Sequence, residues 1–469
     1  MKFAFSNFAA VAPKTLLKIC LLAAPVLAAA MALTADYNRH PDEIHHFEAT
    51  RYYANHFLPP EIGDPNVRNS YSVYGVSYLN YHWIEYLLAG KFVFLLSPFV
   101  SDELLAARFF NVFLFAGLTV FFLYQSKTDD DALLVPAFLL VTPQVWYVFG
   151  YVNNDAFALF VAIITASEIA RPRSLLNRFL QADKFSANLA GGLVFGLLIG
   201  LLLICKTNYY AFLVFVALWL SYESPAIKIS QFKPEINFNC LRKYAFVFLV
   251  AASVLGFRCA LDFYVNGETN FVGLSYVHYF FGNFEAKQNR LLAYQEEIAE
   301  PPYKLSTAEN DLTKTDAALK LKAKGASYAE MFTKWRWHEF SFKSFVGVYG
   351  YMNIFSPNVY YRLMTILYVA FGLYLAAVGF FKTSSETVWQ TAIAAAGCLM
   401  TVFISSYLSW TYAFQAQGRY LFPVIGMIGL FVYSNRRHVH NTALAVFIGG
   451  AFLLSVYSFV FTALAKINH

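Results

Sequence analysis

Charged residues are scarce in this sequence. Asp, Glu, Lys and Arg make up 14% of its 469 residues, where a soluble globular chain carries about 25%. With 58% hydrophobic residues and a mean hydropathy of +0.47, that shortage excludes an ordinary soluble domain. Cysteine is sparse as well. Four of the five (Cys20, Cys205, Cys240, Cys259 and Cys398) fall within or at the ends of apolar runs, and none forms a C-x-x-C pair. They read as small buried hydrophobes, which argues against a disulfide or zinc framework. The net charge of +6 includes no basic tract suited to nucleic acid. A soluble nucleotide-binding motif and an obvious internal repeat are both missing.

What is abundant is apolar and aromatic. Phe (49) and Tyr (32) dominate the aromatics, and the apolar residues gather into separate runs near the length a helix needs to cross a bilayer. Eleven such runs stand out: residues 16–33, 103–124, 132–151, 155–170, 188–205, 209–222, 244–262, 361–381, 388–408, 420–434 and 442–465. Lys2 and Lys14 precede the first, and Lys18 lies at its start. It resembles a signal peptide but is long enough to be a retained span. A twelfth segment, 83–100, is apolar yet contains Glu85 and Lys91 and ends at Pro98.

Loop charge decides how to read that segment. If 83–100 crossed, Arg171, Arg173, Arg178, Lys184, Lys228, Lys233, Arg242, Lys243, Arg436 and Arg437 would all lie outside. Cytoplasmic loops normally collect such residues. If it lies along the membrane surface, they fall inside with the N-terminal lysines, and an amphipathic surface helix accommodates Glu85 and Lys91. The expected fold is therefore an all-α polytopic membrane protein forming one integral-membrane domain over 1–469. It has about eleven transmembrane helices, an N-terminus inside, a long external first loop (34–102) with surface-lying helices, and a large, partly helical external loop (263–360). Within the latter, Ser306-Thr307-Ala308-Glu309 fits a capping box opening a polar helix towards Arg336. Residues 340–357 turn aromatic and contain glycine.

That topology collects several polar clusters on the external side. Asp42 and Glu43 follow the first run in the stretch Pro41-Asp42-Glu43-Ile44-His45-His46. On a helix Asp42 shares a face with His45 and His46. The plain reading is an acidic first turn that suits the helix dipole; the chemical one is a carboxylate base beside imidazoles, suited to deprotonating a hydroxyl. Asp42, Glu43 and His46 could also hold a divalent cation such as Mg or Mn. Asn154-Asp155 opens a span, where an N-cap is the ordinary role. Lys206, at the end of a run, could snorkel to headgroups or neutralise a phosphate. Gln417-Gly418-Arg419-Tyr420 is the most distinctive string: Arg offers a rigid fork for phosphate oxygens and Gly a close backbone approach. Trp335-Arg336-Trp337-His338 suits interface anchoring or, more sharply, sugar stacking.

Taken together, the Pro-Asp-Glu near the start, the external Asn-Asp, the external lysine and the late Gly-Arg-Tyr resemble the GT-C superfamily of integral-membrane glycosyltransferases. The pattern is similar to uncharacterised bacterial membrane families with Pro-Asp-Glu and Gly-Arg-Tyr motifs. It is more distantly like protein O-mannosyltransferases and aminoarabinose transferases. The resemblance runs from Pro41 to Pro423. It implies a polyprenyl-phosphate sugar donor, an acceptor hydroxyl on a glycan, lipid or protein, and inverting transfer at the external face of the bacterial cytoplasmic (inner) membrane. Asp42 then matches the catalytic acidic position with Glu43 beside it, and Asp155 with Asn154 a second acidic position. Lys206, Arg419 and Gln417 would hold the donor phosphate, with His45, His46 and Tyr420 in support. The chain lacks the D-x-D-like spacing that some relatives use with a metal. Independently of the family, a lipid-phosphate leaving group needs cations and an acceptor hydroxyl needs a base. The alternative is a transporter or flippase of a glycolipid or polyprenyl-linked substrate, which would bury its polar groups nearer mid-membrane.

Overall fold

The structure is a computed structural model that describes all residues except 1, 82, 83, 225, 231, 232, 268–289, 305–320, 382, 383 and 412. It is a helical bundle with two small antiparallel ribbons: Ile227–Ser230 pairs with Lys233–Ile236, and Val348–Tyr349 with Ile354–Phe355. Among the described residues, six helices are long and apolar enough to cross a membrane: Pro13–Thr34, Glu103–Gln125, Phe238–Asn266, Asn358–Phe381, Ser385–Thr411 and Asn441–Leu464. Their ends follow from local chemistry. The Asp102 carboxylate accepts from the Leu105 amide at 3.0 Å to start one. Asn237 caps another through the Cys240 amide at 3.0 Å, and Gly267, at φ +74°, ends the same helix.

The remaining five apolar runs give shorter elements than these six. Asp155–Ala170, Leu189–Cys205, Tyr210–Glu223 and Pro423–Ser434 are helices of 16, 17, 14 and 12 residues. The run over 132–151 is not one helix. It breaks into Asp130–Leu134, Ala137–Leu140 and Pro143–Val148. Pro136 and Pro143 interrupt it because neither can donate a backbone hydrogen bond. The Thr142 hydroxyl instead donates to the Phe138 carbonyl at 2.6 Å. Side chains from Ala132 to Val152 are almost all buried, so this stretch forms the centre of the bundle. Periodicity cannot distinguish such a broken core segment from a continuous span. All five cysteines are free thiols.

Side-chain contacts define the two ends of the bundle. At one end Lys14 pairs with Asp131 (2.9 Å), Lys18 with Asp130 (3.1 Å) and Arg436 with Asp131 (2.9 Å). At the other, where the first helix finishes, Asn468 donates to the Thr34 carbonyl and accepts from the Asp36 amide, both at 2.8 Å.

The first loop folds at this second end. Its two principal helices, Glu43–Asn55 and Ile84–Leu96, touch backbone to backbone at Gly90, where any side chain would overlap Tyr53 and Ala54. Ile84–Leu96 is too short to span a bilayer. One face (Tyr86, Ala89, Val93) is buried and the other (Leu88, Phe94, Leu95) is exposed. Lys91 donates to the Ala54 carbonyl and lies over the Phe57 ring. Glu85, by contrast, is buried and does not sit on a wet surface face.

The large loop docks on the first. Arg290 pairs with Glu61 (2.7 Å), Arg68 donates to Tyr294 (3.0 Å), and the Glu300 amide donates to the Val73 carbonyl (3.0 Å). The capping box expected at Ser306–Glu309 lies outside the described residues. Among the described residues one forms between Ser327 and Glu330, opening Tyr328–Thr333.

Candidate functional site

Asp42 precedes the Glu43–Asn55 helix in the left-handed region, at φ 59°, and its side chain makes no capping bond. A non-glycine residue there is strained and persists where its surroundings fix it. They do so on several sides. Arg108 donates to the carbonyls of Ala32 (3.2 Å), Ala35 and Asp36 (2.9 Å). Tyr351 donates to the Asn38 side chain at 2.6 Å. Nδ1 of His40 lies 2.8 Å from the Tyr147 hydroxyl, and the ring stacks on Tyr151 with centroids 4.6 Å apart. The Asp42 carboxylate, 41% exposed, is turned towards Arg419, with Oδ2 at 3.8 Å from Nη2.

Arg419 reaches this point because Gly418 sits against the backbone of Ser344 and Phe345, with no room for a side chain. The guanidinium donates through Nε to Gln417 Oε1 (2.7 Å) and through Nη1 to the Tyr151 hydroxyl (3.5 Å). Nη1 also lies 3.8 Å from Asp155 Oδ2. Asp155 is fully buried and bonded through Oδ1 to Lys206. The Lys206 ammonium donates further to Asn154 Oδ1 at 3.1 Å and lies 5.7 Å from the Tyr420 ring centre. Burial is the main cause that lowers Lys206 below its usual range; Asp155 opposes the shift and Arg419 adds to it.

Four segments far apart in sequence thus converge. Asp42, Asp155, Lys206 and Arg419 form one cluster of two carboxylates and two cations, with Asn154, Gln417 and Tyr420 against it. The Arg419 contacts to both carboxylates exceed hydrogen-bond length. Among the described residues, Asp155 Oδ2 has no hydrogen-bond donor. The guanidinium is therefore held by charge on two sides, through long contacts with which an oxyanion could compete.

Glu43 does not join this cluster. It is buried against Arg108, which donates through Nε to Oε1 (2.8 Å) and through Nη2 to Oε2 (2.7 Å). His46 turns inward too, hydrogen-bonded to Tyr86 and stacked on Tyr78 at 3.9 Å. His45 is half-buried; burial lowers its imidazole, opposed by Asp42. The proposed metal set of Asp42, Glu43 and His46 is therefore not assembled, because successive residues at a helix start point in different directions. Among the described residues no group of three His, Cys, Asp or Glu side chains gathers to hold a metal. The sugar-stacking role weighed for Trp335–His338 also fails at Trp337. That ring is buried, and its N–H donates to Ser409 at 2.9 Å.

Sequence reasoning missed Arg108, His40 and Tyr151. An arginine inside an apolar run is a usable signal, since it must find a buried partner. His40 and Tyr151 carry no such mark.

No protein-family profile matches the chain, and no curated protein does. Among solved structures, a crystal structure of the Archaeoglobus fulgidus oligosaccharyltransferase, in complex with Zn and sulfate, matches at 14% identity. The match covers 94% of this chain and 53% of that one, with a TM-score of 0.48. The chain thus spans about half the length of that protein. A likeness at this level carries no functional weight.

Two outcomes follow for purified protein. Glu43→Gln removes one partner of a buried pair and should destabilise by about 3–5 kcal/mol. Asp42→Asn, at a partly exposed position whose backbone suits Asn, should stay within about 0.5 kcal/mol of the parent. Thermal or denaturant unfolding of both variants checks the contrast, and equal losses would contradict it. His40 is held well below its usual 6.5 by burial and then by the charge of Arg108. The unfolded chain therefore takes up that proton first, and this contribution to stability is lost as pH falls through about 6.5. The unfolding midpoint should drop between about pH 7 and pH 5, and less steeply in His40→Gln. An unchanged slope in that variant would remove His40 as the cause.

Proposed function

We propose that the protein is a membrane glycosyltransferase of GT-C type. It would move a sugar from a polyprenyl-phosphate donor to an acceptor hydroxyl on a glycan, lipid or protein, at the external face of the bacterial inner membrane. The convergence of Asp42, Asp155, Lys206 and Arg419 at one end of an apolar bundle carries this reading. Its sidedness rests on loop charge. The basic residues Lys14, Lys18 and Arg436 gather at the end opposite the cluster, as cytoplasmic loops do. If each of the eleven apolar runs crosses once, in one membrane domain with an inside N-terminus, the cluster faces outward.

The chemistry divides between the two halves of the cluster. The acceptor hydroxyl loses its proton to Asp42, the partly exposed carboxylate, and its oxygen attacks the anomeric carbon from the face opposite the phosphate. The bond to the lipid phosphate breaks and the configuration inverts. Charge grows on the departing phosphate, and Lys206 and Arg419 stabilise it there. Asp155 keeps the two cations together when no phosphate is bound, so that like charges need not separate. Asn154, Gln417 and Tyr420 hold the cations in place. Glu43 positions Asp42 through Arg108 and does not touch substrate. A transport reading could draw on the broken segment over 130–148. That segment is packed with apolar side chains, and the charged cluster lies at an end of the bundle.

Asp42→Asn should lower sugar transfer by about 100-fold or more, the usual contribution of a general base. Arg419→Ala should lower it by about 100- to 1000-fold. The measurement is transfer from polyprenyl-phosphate sugars by purified protein in nanodiscs. Near-normal transfer by Asp42→Asn would overturn the assignment.

A further inference from the structure

An aromatic feature beside Asp42 has no part in the charge cluster. Residues 71–77 form a tight turn closed by the Ser72 amide to the Val76 carbonyl and the Gly75 amide to the Ser72 carbonyl, both at 2.9 Å. Gly75, at φ +69°, presses against the Gln295 carbonyl and Ala299, where a side chain would collide. The large loop holds the turn from behind. Gln295 donates to the Tyr74 carbonyl at 3.1 Å, and the Glu300 amide to the Val73 carbonyl at 3.0 Å. This scaffold presents the Tyr74 side chain outward, 44% exposed, with the Tyr303 ring 4.6 Å behind it at 59°.

The placement relative to Asp42 is specific. Tyr78, directly after the turn, stacks on His46 at 3.9 Å, so the turn packs against the first turn of the helix that Asp42 precedes; burial, then Tyr303, Asp42 and Tyr420 in that order, raise the Tyr74 phenol. Tyr351, 51% exposed and fixed by its bond to Asn38, lies within reach of Asp42 as well. Rigid exposed rings with hydroxyl edges, next to a carboxylate, suit a ligand with one apolar C–H face and a polar rim. A pyranose ring is such a ligand. A lipid chain is not, because its carbons would leave the phenol oxygens and the carboxylate without partners.

We propose that Tyr74, backed by Tyr303, is a platform for the C–H face of a sugar ring held beside Asp42, with Tyr420 and Tyr351 lining the same space. Tyr74 is then a specificity-determining contact. Two loops far apart in sequence build the platform, so the large loop has a binding role through Gln295 and Tyr303. The inference rests on the glycosyl-transfer reading and adds to it where the transferred or receiving sugar lies.

The test uses the full chain in nanodiscs and two separate probes. Saturation-transfer NMR reads binding of a panel of methyl hexopyranosides, pentopyranosides and hexuronides. A fluorescence titration reads farnesyl phosphate, which has the lipid phosphate and no sugar. The parent should bind at least one glycoside through its ring protons. Tyr74→Phe should keep that binding, Tyr74→Ala should weaken it about tenfold, and farnesyl phosphate should bind all three proteins equally. Displacement of the glycoside by farnesyl phosphate would support a donor sugar on the platform, and joint binding an acceptor sugar. Equal glycoside binding by Tyr74→Ala and the parent would overturn the platform. So would no binding of any glycoside, including a case in which a hydroxyl-bearing peptide shows saturation transfer instead. Failure of the parent to bind farnesyl phosphate would count against the donor reading itself, whatever the glycosides do.

Discussion

Arg108 sits in the second turn of an apolar helix, where an unmatched charge would be prohibitive. Five acceptors surround it: the carbonyls of Ala32, Ala35 and Asp36 and both oxygens of Glu43. The first three belong to the end of the first long helix and the chain that leaves it. The last belongs to the residue after Asp42. One guanidinium therefore ties the first span, the loop that follows and the start of the Glu43–Asn55 helix to the second span. Asp42 depends on it directly, because its left-handed backbone and uncapped side chain are set by what holds residues 35 to 43.

The other half of the cluster obeys the same rule. Lys206 and Arg419 are two cations within one small space, which is tolerable because Asp155 lies between them with its carboxylate fully buried. With Asp42 as the second carboxylate, such an arrangement is neutral at rest. On the proposed reading it would answer an incoming phosphate by exchanging one set of anionic contacts for another, without drawing new charges out of water. The glycine before Arg419 matters for a steric reason: the turn is pressed onto the Phe345 backbone. Site and scaffold are therefore coupled through the large loop as well as through the first.

Much of this was legible in the sequence. Loop charge put Asp42, Asp155, Lys206 and Arg419 on one side, and the folded chain brings these four together. Hydropathy located the apolar runs. It could not tell a continuous helix from a broken core segment at 132–151, where prolines and a threonine redirect the chain while most side chains stay apolar and buried. Adjacency misled at Glu43 and His46. Residues next to Asp42 in sequence face the interior, and the partners of Asp42 come from more than a hundred residues away. The tyrosines around Asp42 were invisible among the 32 in the chain, since nothing local separates Tyr74 or Tyr151 from a core or interface ring.

The central claim is that Lys206 and Arg419 together form a phosphate site and that Asp42 stands opposite it. An experimental structure of the full chain in nanodiscs, saturated with a polyprenyl-phosphate sugar, tests it most directly. The account predicts the phosphorus within charge-assisted hydrogen-bond reach of both Lys206 Nζ and the Arg419 guanidinium, with the anomeric carbon turned towards Asp42. A phosphate bound elsewhere on the bundle, with the Lys206–Asp155 and Arg419 contacts left as they are, would contradict it.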